Sequence, residues 1–78
     1  MTTHANRMDA ARRIVAIAER NCDSSDSAAV CLSDARECIA ADDPQYAASR
    51  ALNSLKHSVG ICSLDYCYAW ELMVEAGL

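Results

Sequence analysis

The sequence is poor in the residues that interrupt helices and in the largest apolar side chains. Its 78 residues include two glycines, one proline and no phenylalanine. These glycines and the proline fall where helix boundaries are expected, and no segment shows the polar–apolar alternation of a half-buried strand. The pattern therefore predicts an all-α fold. Since 78 residues bury only a small core, we expect one domain, residues 1–78, built as a bundle of short helices.

Several functional signatures are missing as well. No apolar run is long enough to cross a bilayer, and no signal-peptide pattern is visible, so we expect a cytoplasmic protein without membrane contact. The sequence has no glycine-rich phosphate loop, no GxSxG motif and no nucleophile paired with a base. These absences argue against an enzyme, and we expect no cofactor.

Cysteine is abundant, but its pattern does not indicate a disulfide framework. The five cysteines are an odd number, and none of them forms a CxxC motif. Cys31 and Cys38 lie on the apolar side of a predicted helix, where thiols act as small hydrophobes. Cys62 and Cys67 have the spacing of a hydrophobic staple around a helix start rather than of zinc ligands. We therefore expect reduced, mostly buried thiols and no metal site.

Helical periodicity and capping residues divide the chain into four helices. The predicted helices occupy residues 5–21, 26–41, 44–59 and 64–76. Ser25 or Asp26, Asp43 and Ser63 are suitable N-cap residues for the last three helices, because their side chains can accept hydrogen bonds from free backbone amides. Alanine is frequent on the predicted inner faces, which favours close packing between helices and leaves room for stabilisation by dimerisation.

The last predicted helix is apolar on nearly its whole circumference. One arc is expected to pack on the rest of the bundle, and it consists of Tyr66, Cys67, Ala69, Trp70, Met73, Val74 and Ala76. A second apolar line, with a spacing of four residues, runs through the acidic side of the same helix. We predict that this second line and its acidic border bind a partner protein through Leu64, Asp65, Tyr68, Glu71, Leu72 and Glu75. The alternatives are that the line closes a homodimer or packs under the first helix.

Charge is unevenly distributed along the chain, whose formal net charge is −4. Residues 1–20 hold four arginines and two acids, whereas residues 21–78 hold three basic residues and nine acids. An acidic body repels nucleic-acid phosphates and suits a basic protein surface, including one that normally holds nucleic acid. We therefore expect another protein as the partner rather than nucleic acid.

The third predicted helix supports a competing interpretation. Its outer side is expected to carry Gln45, Tyr46, Ser49, Arg50, Asn53, Ser54, Lys56 and His57, without any acid. Side chains of these types can contact base edges, and the tight connection to the second helix allows a helix-turn-helix. A DNA-binding regulator that uses Gln45, Ser49, Arg50, Asn53 and Lys56 is therefore the alternative function.

The chain also resembles a class of proteins in size, acidity and helical character. In these respects it is similar to the small phage-encoded inhibitors of bacterial defence, including anti-CRISPR proteins. The resemblance covers the whole chain and includes no motif, so it assigns no site residue. It implies an inhibitor that occupies a basic, nucleic-acid-binding surface or a protein interface.

Overall fold

A computed structural model describes residues 3–22 and 25–78, which form four α-helices. They are α1 (His4–Asn21), α2 (Asp26–Ala40), α3 (Pro44–Ser58) and α4 (Leu64–Glu75). The predicted all-α bundle is confirmed, and every predicted boundary agrees with the observed one to within one residue. Asp23 and Ser24, in the connection before α2, lie outside the described residues, as do residues 1–2. None of the four helices combines the length and the hydropathy that are needed to cross a membrane.

A polar side chain caps the start of each helix. Ser25 accepts from the amide of Ala28, Asp43 from Tyr46 and Ser63 from Tyr66, at 3.1 to 3.2 Å. Thr3 caps α1 in the same way. Each cap satisfies an amide that lacks a helical partner, which contributes about 1 kcal/mol. The three N-caps predicted from the sequence are therefore confirmed.

α2 and α4 end in the same backbone motif but with different residues. After α2, Asp42 adopts a φ of 62°, and the amide of Asp43 donates to the carbonyl of Cys38 at 2.9 Å. After α4, Gly77 takes the equivalent place with a φ of 70°. This is the Schellman motif, in which a residue of positive φ lets the chain satisfy the last carbonyls. Glycine adopts that conformation freely, whereas Asp42 adopts it at an energetic cost.

The helices form two layers around α3. α1 and α3 each contact all three other helices, and α2 does not touch α4 within the described residues. The Cα atoms extend over 36 × 25 × 14 Å, and 14 Å corresponds to two helix layers with axes about 10 Å apart. Alanine makes this close packing possible, since Ala47, Ala48 and Ala51 of α3 are fully buried. With two layers, each helix keeps one outer face.

α2 and α3 form an antiparallel hairpin. The hydroxyl of Ser54, near the end of α3, donates to the carbonyl of Ala28, near the start of α2, at 2.9 Å. The far ends of the two helices therefore lie side by side, as in an αα-hairpin. The helices of a helix-turn-helix cross at about 90–120° instead. Ser54 is completely buried, so its predicted place on the outer side of the helix is wrong.

Candidate protein-binding surface

α4 rests on the bundle through a narrow face. Ala69 is fully buried and Leu72 is 7% exposed, while Tyr66 and Met73 pack against the core at its edge. Ala76, directly after the helix, is also buried. The predicted inner arc of α4 is thus correct for its alanines and for these two flanking side chains.

The other half of the predicted inner arc faces outward. Trp70 is 50% exposed, Val74 is 61% exposed, and Cys67 is exposed as well. Their predicted burial is wrong. The small side chain of Ala69 lets α4 approach the bundle closely. The helix therefore turns its alanines toward its neighbours and leaves these three side chains on the outside.

The predicted partner line is divided between the core and the surface. Leu72 belongs to the core cluster, whereas Leu64 is 87% exposed and Tyr68 is partly exposed. Leu72 therefore does not form part of an exposed surface, and this part of the prediction is wrong. Polar contacts with α1 explain the rotation: Arg13 Nη2 donates to the Tyr68 hydroxyl at 3.1 Å, and Asn21 Nδ2 donates to Asp65 Oδ2 at 2.8 Å.

A contiguous apolar area remains on the outer side of α4. We call it the α4 surface, and it consists of Ile61, Leu64, Cys67, Trp70 and Val74. Cys67, Trp70 and Val74 share a helix face through spacings of three and four residues. Ile61, Cys67 and Trp70 line an open groove of about 500 Å³, together with Tyr66 and Glu71.

The α4 surface is large for so small a chain. Ile61 is 58% exposed, which adds to the exposed fractions of Leu64, Trp70 and Val74. Together these side chains present an apolar area on the order of 500 Å², and the largest apolar patch of a monomeric protein is often functional at this size. The other exposed large apolar side chains are dispersed: Val30 lies on α2, Tyr46 on α3, Val59 directly after α3, and Tyr68 on the side of α4 that faces α1. The α4 surface is therefore the strongest candidate for a partner contact among the described residues.

Acidic residues border the α4 surface. Glu71 and Glu75 are exposed on the same helix, and Glu71 lines the groove. Asp65, which was predicted to belong to the same border, is half-buried and hydrogen-bonded to Asn21. Residues 59–78 contain three acids and no lysine, arginine or histidine. The field at this surface is therefore negative.

The alternative nucleic-acid face of α3 is only partly open. Gln45, Arg50, Asn53 and Lys56 are exposed, whereas Ser49 is half-buried. A cavity of about 330 Å³ places Arg50 together with three carboxylates, which belong to Asp34, Glu37 and Asp43. Carboxylates beside an arginine weaken its attraction for a phosphate backbone.

The cysteines are less buried than the sequence predicts. The five of them, all within the described residues, form no disulfide; Cys62 and Cys67 are exposed, and the others are half-buried. The prediction of mostly buried thiols is therefore wrong. Burial, followed by the nearby carboxylates of Asp43 and Asp34, raises the pKa of the Cys38 thiol. Cys67 Sγ lies 4.0 Å from the Ile61 carbonyl oxygen at the edge of the groove.

Two kinds of information that often identify a function do not do so for this protein. The described residues contain no group of three or more His, Cys, Asp or Glu side chains that is arranged to hold a metal ion. Comparisons with protein-family models, curated proteins and solved structures find no match to the chain. Its function has to be inferred from the chemistry of its surface.

Four residues of the α4 surface did not belong to the predicted site, namely Ile61, Cys67, Trp70 and Val74. The sequence contains one signal that points to them. Ala69 and Ala76 lie on one face, two turns apart, and alanine occupies the closely packed positions of the other helices. Helices approach most closely where their side chains are small, so these alanines indicate the face of α4 that meets the bundle.

Proposed function

We propose that this chain is a non-enzymatic protein-binding module whose contact centres on the α4 surface. The observation that carries this proposal is the exposure of Trp70 among Ile61, Leu64 and Val74. Tryptophan is enriched at binding hot spots because it brings a large apolar area with few rotatable bonds. When a partner covers this apolar area, the hydrophobic free energy gained is roughly 25 cal/mol per Å². The entropic cost of association is subtracted from that gain.

The charge around the α4 surface selects a partner with a basic border. Glu71 lines the apolar groove, Glu75 is exposed one turn further along α4, and no basic residue lies between residue 59 and the end of the chain. An apolar ridge or helix with lysines or arginines beside it complements this arrangement. A second copy of the chain is a poorer complement, since a symmetric contact through α4 brings four glutamates together.

The partner class to test first is a nucleic-acid-binding complex of a bacterial defence system. The overall charge of −4 suits a protein that competes with phosphates for a basic surface. The class resemblance to phage-encoded inhibitors, including anti-CRISPR proteins, points to the same kind of target. On this proposal the acidic border guides the encounter, and Trp70 supplies most of the affinity.

The decisive experiment is a binding titration with a matched control. The partner is captured from a bacterial lysate, identified and purified, and then titrated by calorimetry with the wild type, Trp70→Ala and Val30→Ala. Val30 is similarly exposed, but it lies on α2, which does not touch α4 in the described structure. We expect Trp70→Ala to weaken binding about 30-fold, or 2 kcal/mol, and Val30→Ala to leave it unchanged.

Three results would overturn the proposal. Equal affinities of Trp70→Ala and the wild type would remove the α4 surface from the contact. Light scattering that shows a dimer, dissociated by Trp70→Ala, would make a second copy the occupant. A gel shift of duplex DNA at low salt that is lost in Arg50→Ala and Lys56→Ala would favour the DNA-binding alternative.

A further inference from the structure

Another cavity lies at the contact between α1 and α4, on the side of α4 that faces α1. It measures about 240 Å³ and is lined by Arg13, Ala16, Ile17, Arg20 and Tyr68. The lining contains two guanidinium groups and one phenol but no carboxylate. In a chain with eleven acids and seven lysines and arginines, a cavity with this lining is a local reversal of charge.

The helical spacing of α1 brings the two arginines to one cavity. Arg13 and Arg20 are seven residues apart, so their side chains leave the same face about 10 Å apart along the axis. Ala16 lies between them, and its short side chain leaves space in front of the backbone. Long, flexible arginine side chains can therefore converge on a single group bound over Ala16.

The phenol of Tyr68 completes the set of hydrogen-bond donors. Arg13 Nη2 donates to the Tyr68 hydroxyl oxygen at 3.1 Å, which directs the guanidinium toward α4. A phenol that accepts one hydrogen bond still has its own proton to donate. Arg13 retains further N–H groups, because a guanidinium carries five.

Neither arginine has a carboxylate within ion-pair distance among the described residues. The ion pairs of that part of the chain join Arg36 to Glu19 at 3.0 Å and His4 to Asp42 at 2.9 Å. Asp9 and Glu75 line an adjacent cavity that also borders Arg13. These two acids lower the positive potential beside Arg13 and reduce the affinity for any anion.

We propose that Arg13, Arg20 and Tyr68 form a binding site for a phosphate dianion. Guanidinium groups match the oxygen geometry of phosphate through paired hydrogen bonds, and the phenol can donate a further one. The site stands on the α1–α4 contact and does not depend on the α4 surface. Because it is open to solvent and has acids nearby, we expect a Kd on the order of 1 mM for inorganic phosphate.

The test is a titration of the isolated, full chain, monitored through the NMR signals of backbone amides and arginine side chains. Inorganic phosphate and phenyl phosphate are added at constant ionic strength, with sodium chloride as the reference. We expect saturable shifts that centre on the three proposed residues and a Kd about 10-fold weaker in Arg20→Gln. Tyr68→Phe, which keeps the ring, is expected to weaken binding about 3-fold.

Arg36→Gln is the matched control, since it removes one positive charge from α2, away from this cavity. Equal weakening by Arg36→Gln and Arg20→Gln would show a general charge effect and would overturn the site. Shifts that chloride reproduces, or that do not saturate, would overturn it as well.

Tighter binding of phenyl phosphate than of inorganic phosphate would support the site and identify a phosphate ester as its ligand. Equal affinities would support the site with free phosphate as the ligand. No partner protein is needed, so failure of this test leaves the proposed function intact.

Discussion

α3 and α4 show opposite relations between composition and burial. α3 buries seven of its 15 residues, including three alanines that are completely inaccessible, and its outer side is polar. α4 is the more apolar of the two helices, yet it buries only Ala69 and Leu72 among its 12 residues. Apart from Tyr46, α3 therefore places its apolar side chains in the core of its own chain, whereas α4 carries more apolar side chains than the bundle covers.

Position in the bundle explains this difference. α3 lies between the other helices and contacts all of them, whereas α4 contacts α1 and α3 at the periphery. In a fold two layers thick, a peripheral helix can bury only one face, whatever its composition. Apolar side chains beyond that face stay exposed, and this excess on α4 is the observation on which the proposed function rests.

The largest expected effect separates a buried leucine of α3 from an exposed leucine of α4. Leu55 is completely buried and Leu64 is 87% exposed. We expect Leu55→Ala to lower the free energy of unfolding by about 3 kcal/mol and Leu64→Ala to change it by less than about 0.5 kcal/mol. Urea denaturation measures both, and Leu55→Val, at about 1 kcal/mol, serves if the alanine variant does not fold. Similar losses at the two positions would contradict the contrast between the helices.

The reactivity of the cysteine thiols provides a comparison between Cys38, in the α2–α3 hairpin, and Cys67, on the α4 surface. Burial and the carboxylates of Asp43 and Asp34 raise the pKa of Cys38, so less thiolate is present at a given pH. We expect iodoacetamide at pH 8 to modify Cys38 at least about 10-fold more slowly than the exposed Cys67. Peptide mapping by mass spectrometry gives both rates.

The pH dependence of the same reaction provides a control for this interpretation. Because the pKa of the Cys38 thiol is raised, its alkylation rate should keep increasing as the pH is raised above 8, since more of the thiol becomes thiolate. Arg50 lowers that pKa, so Arg50→Gln should slow Cys38 further and leave Cys67 unchanged. Equal rates at Cys38 and Cys67 in the folded wild type would contradict the described burial.

A smaller effect tests the side-by-side packing of the α2–α3 hairpin. Ser54→Ala removes the buried hydrogen bond to the Ala28 carbonyl, and we expect a loss of about 1 kcal/mol in the free energy of unfolding. The neighbouring Asn53 is exposed, so Asn53→Ala is the control and should change stability by less than about 0.5 kcal/mol. If Ser54→Ala behaves like this control in urea denaturation, the two helices do not pack as described.

The smallest effect concerns the equivalent ends of α2 and α4. After α2, Asp42 has a φ of 62° at the position that Gly77 occupies after α4. Asp42→Gly should stabilise the protein by about 0.5 kcal/mol, because relief of the backbone conformation exceeds the loss of the exposed contact with His4. Asp42→Ala loses that contact and keeps the positive φ, so it should be less stable than Asp42→Gly by about 1 kcal/mol. Thermal unfolding of both variants measures the difference.

Helix positions and N-caps could be predicted because their causes are local. A cap is a hydrogen bond between a side chain and an amide three residues later, as Asp43 and Ser63 show. Amphipathic periodicity likewise placed Leu52 and Leu55 of α3 in the core. The Schellman motif at Asp42 was not predicted, because an aspartate in the sequence does not indicate a positive φ, whereas a glycine does.

The sequence by itself determined the fold class, the extent of the helices and the excess of apolar side chains on α4. Only the tertiary structure decided which of those side chains are free. When a helix is apolar on nearly all sides, its periodicity does not fix its rotation about its own axis. For α4 the rotation is set by the close approach at Ala69 and by the contacts of Tyr68 and Asp65 with α1. The two hydrogen bonds join residues more than 40 positions apart, so the periodicity of α4 alone does not reveal that Leu72 is buried and Trp70 exposed.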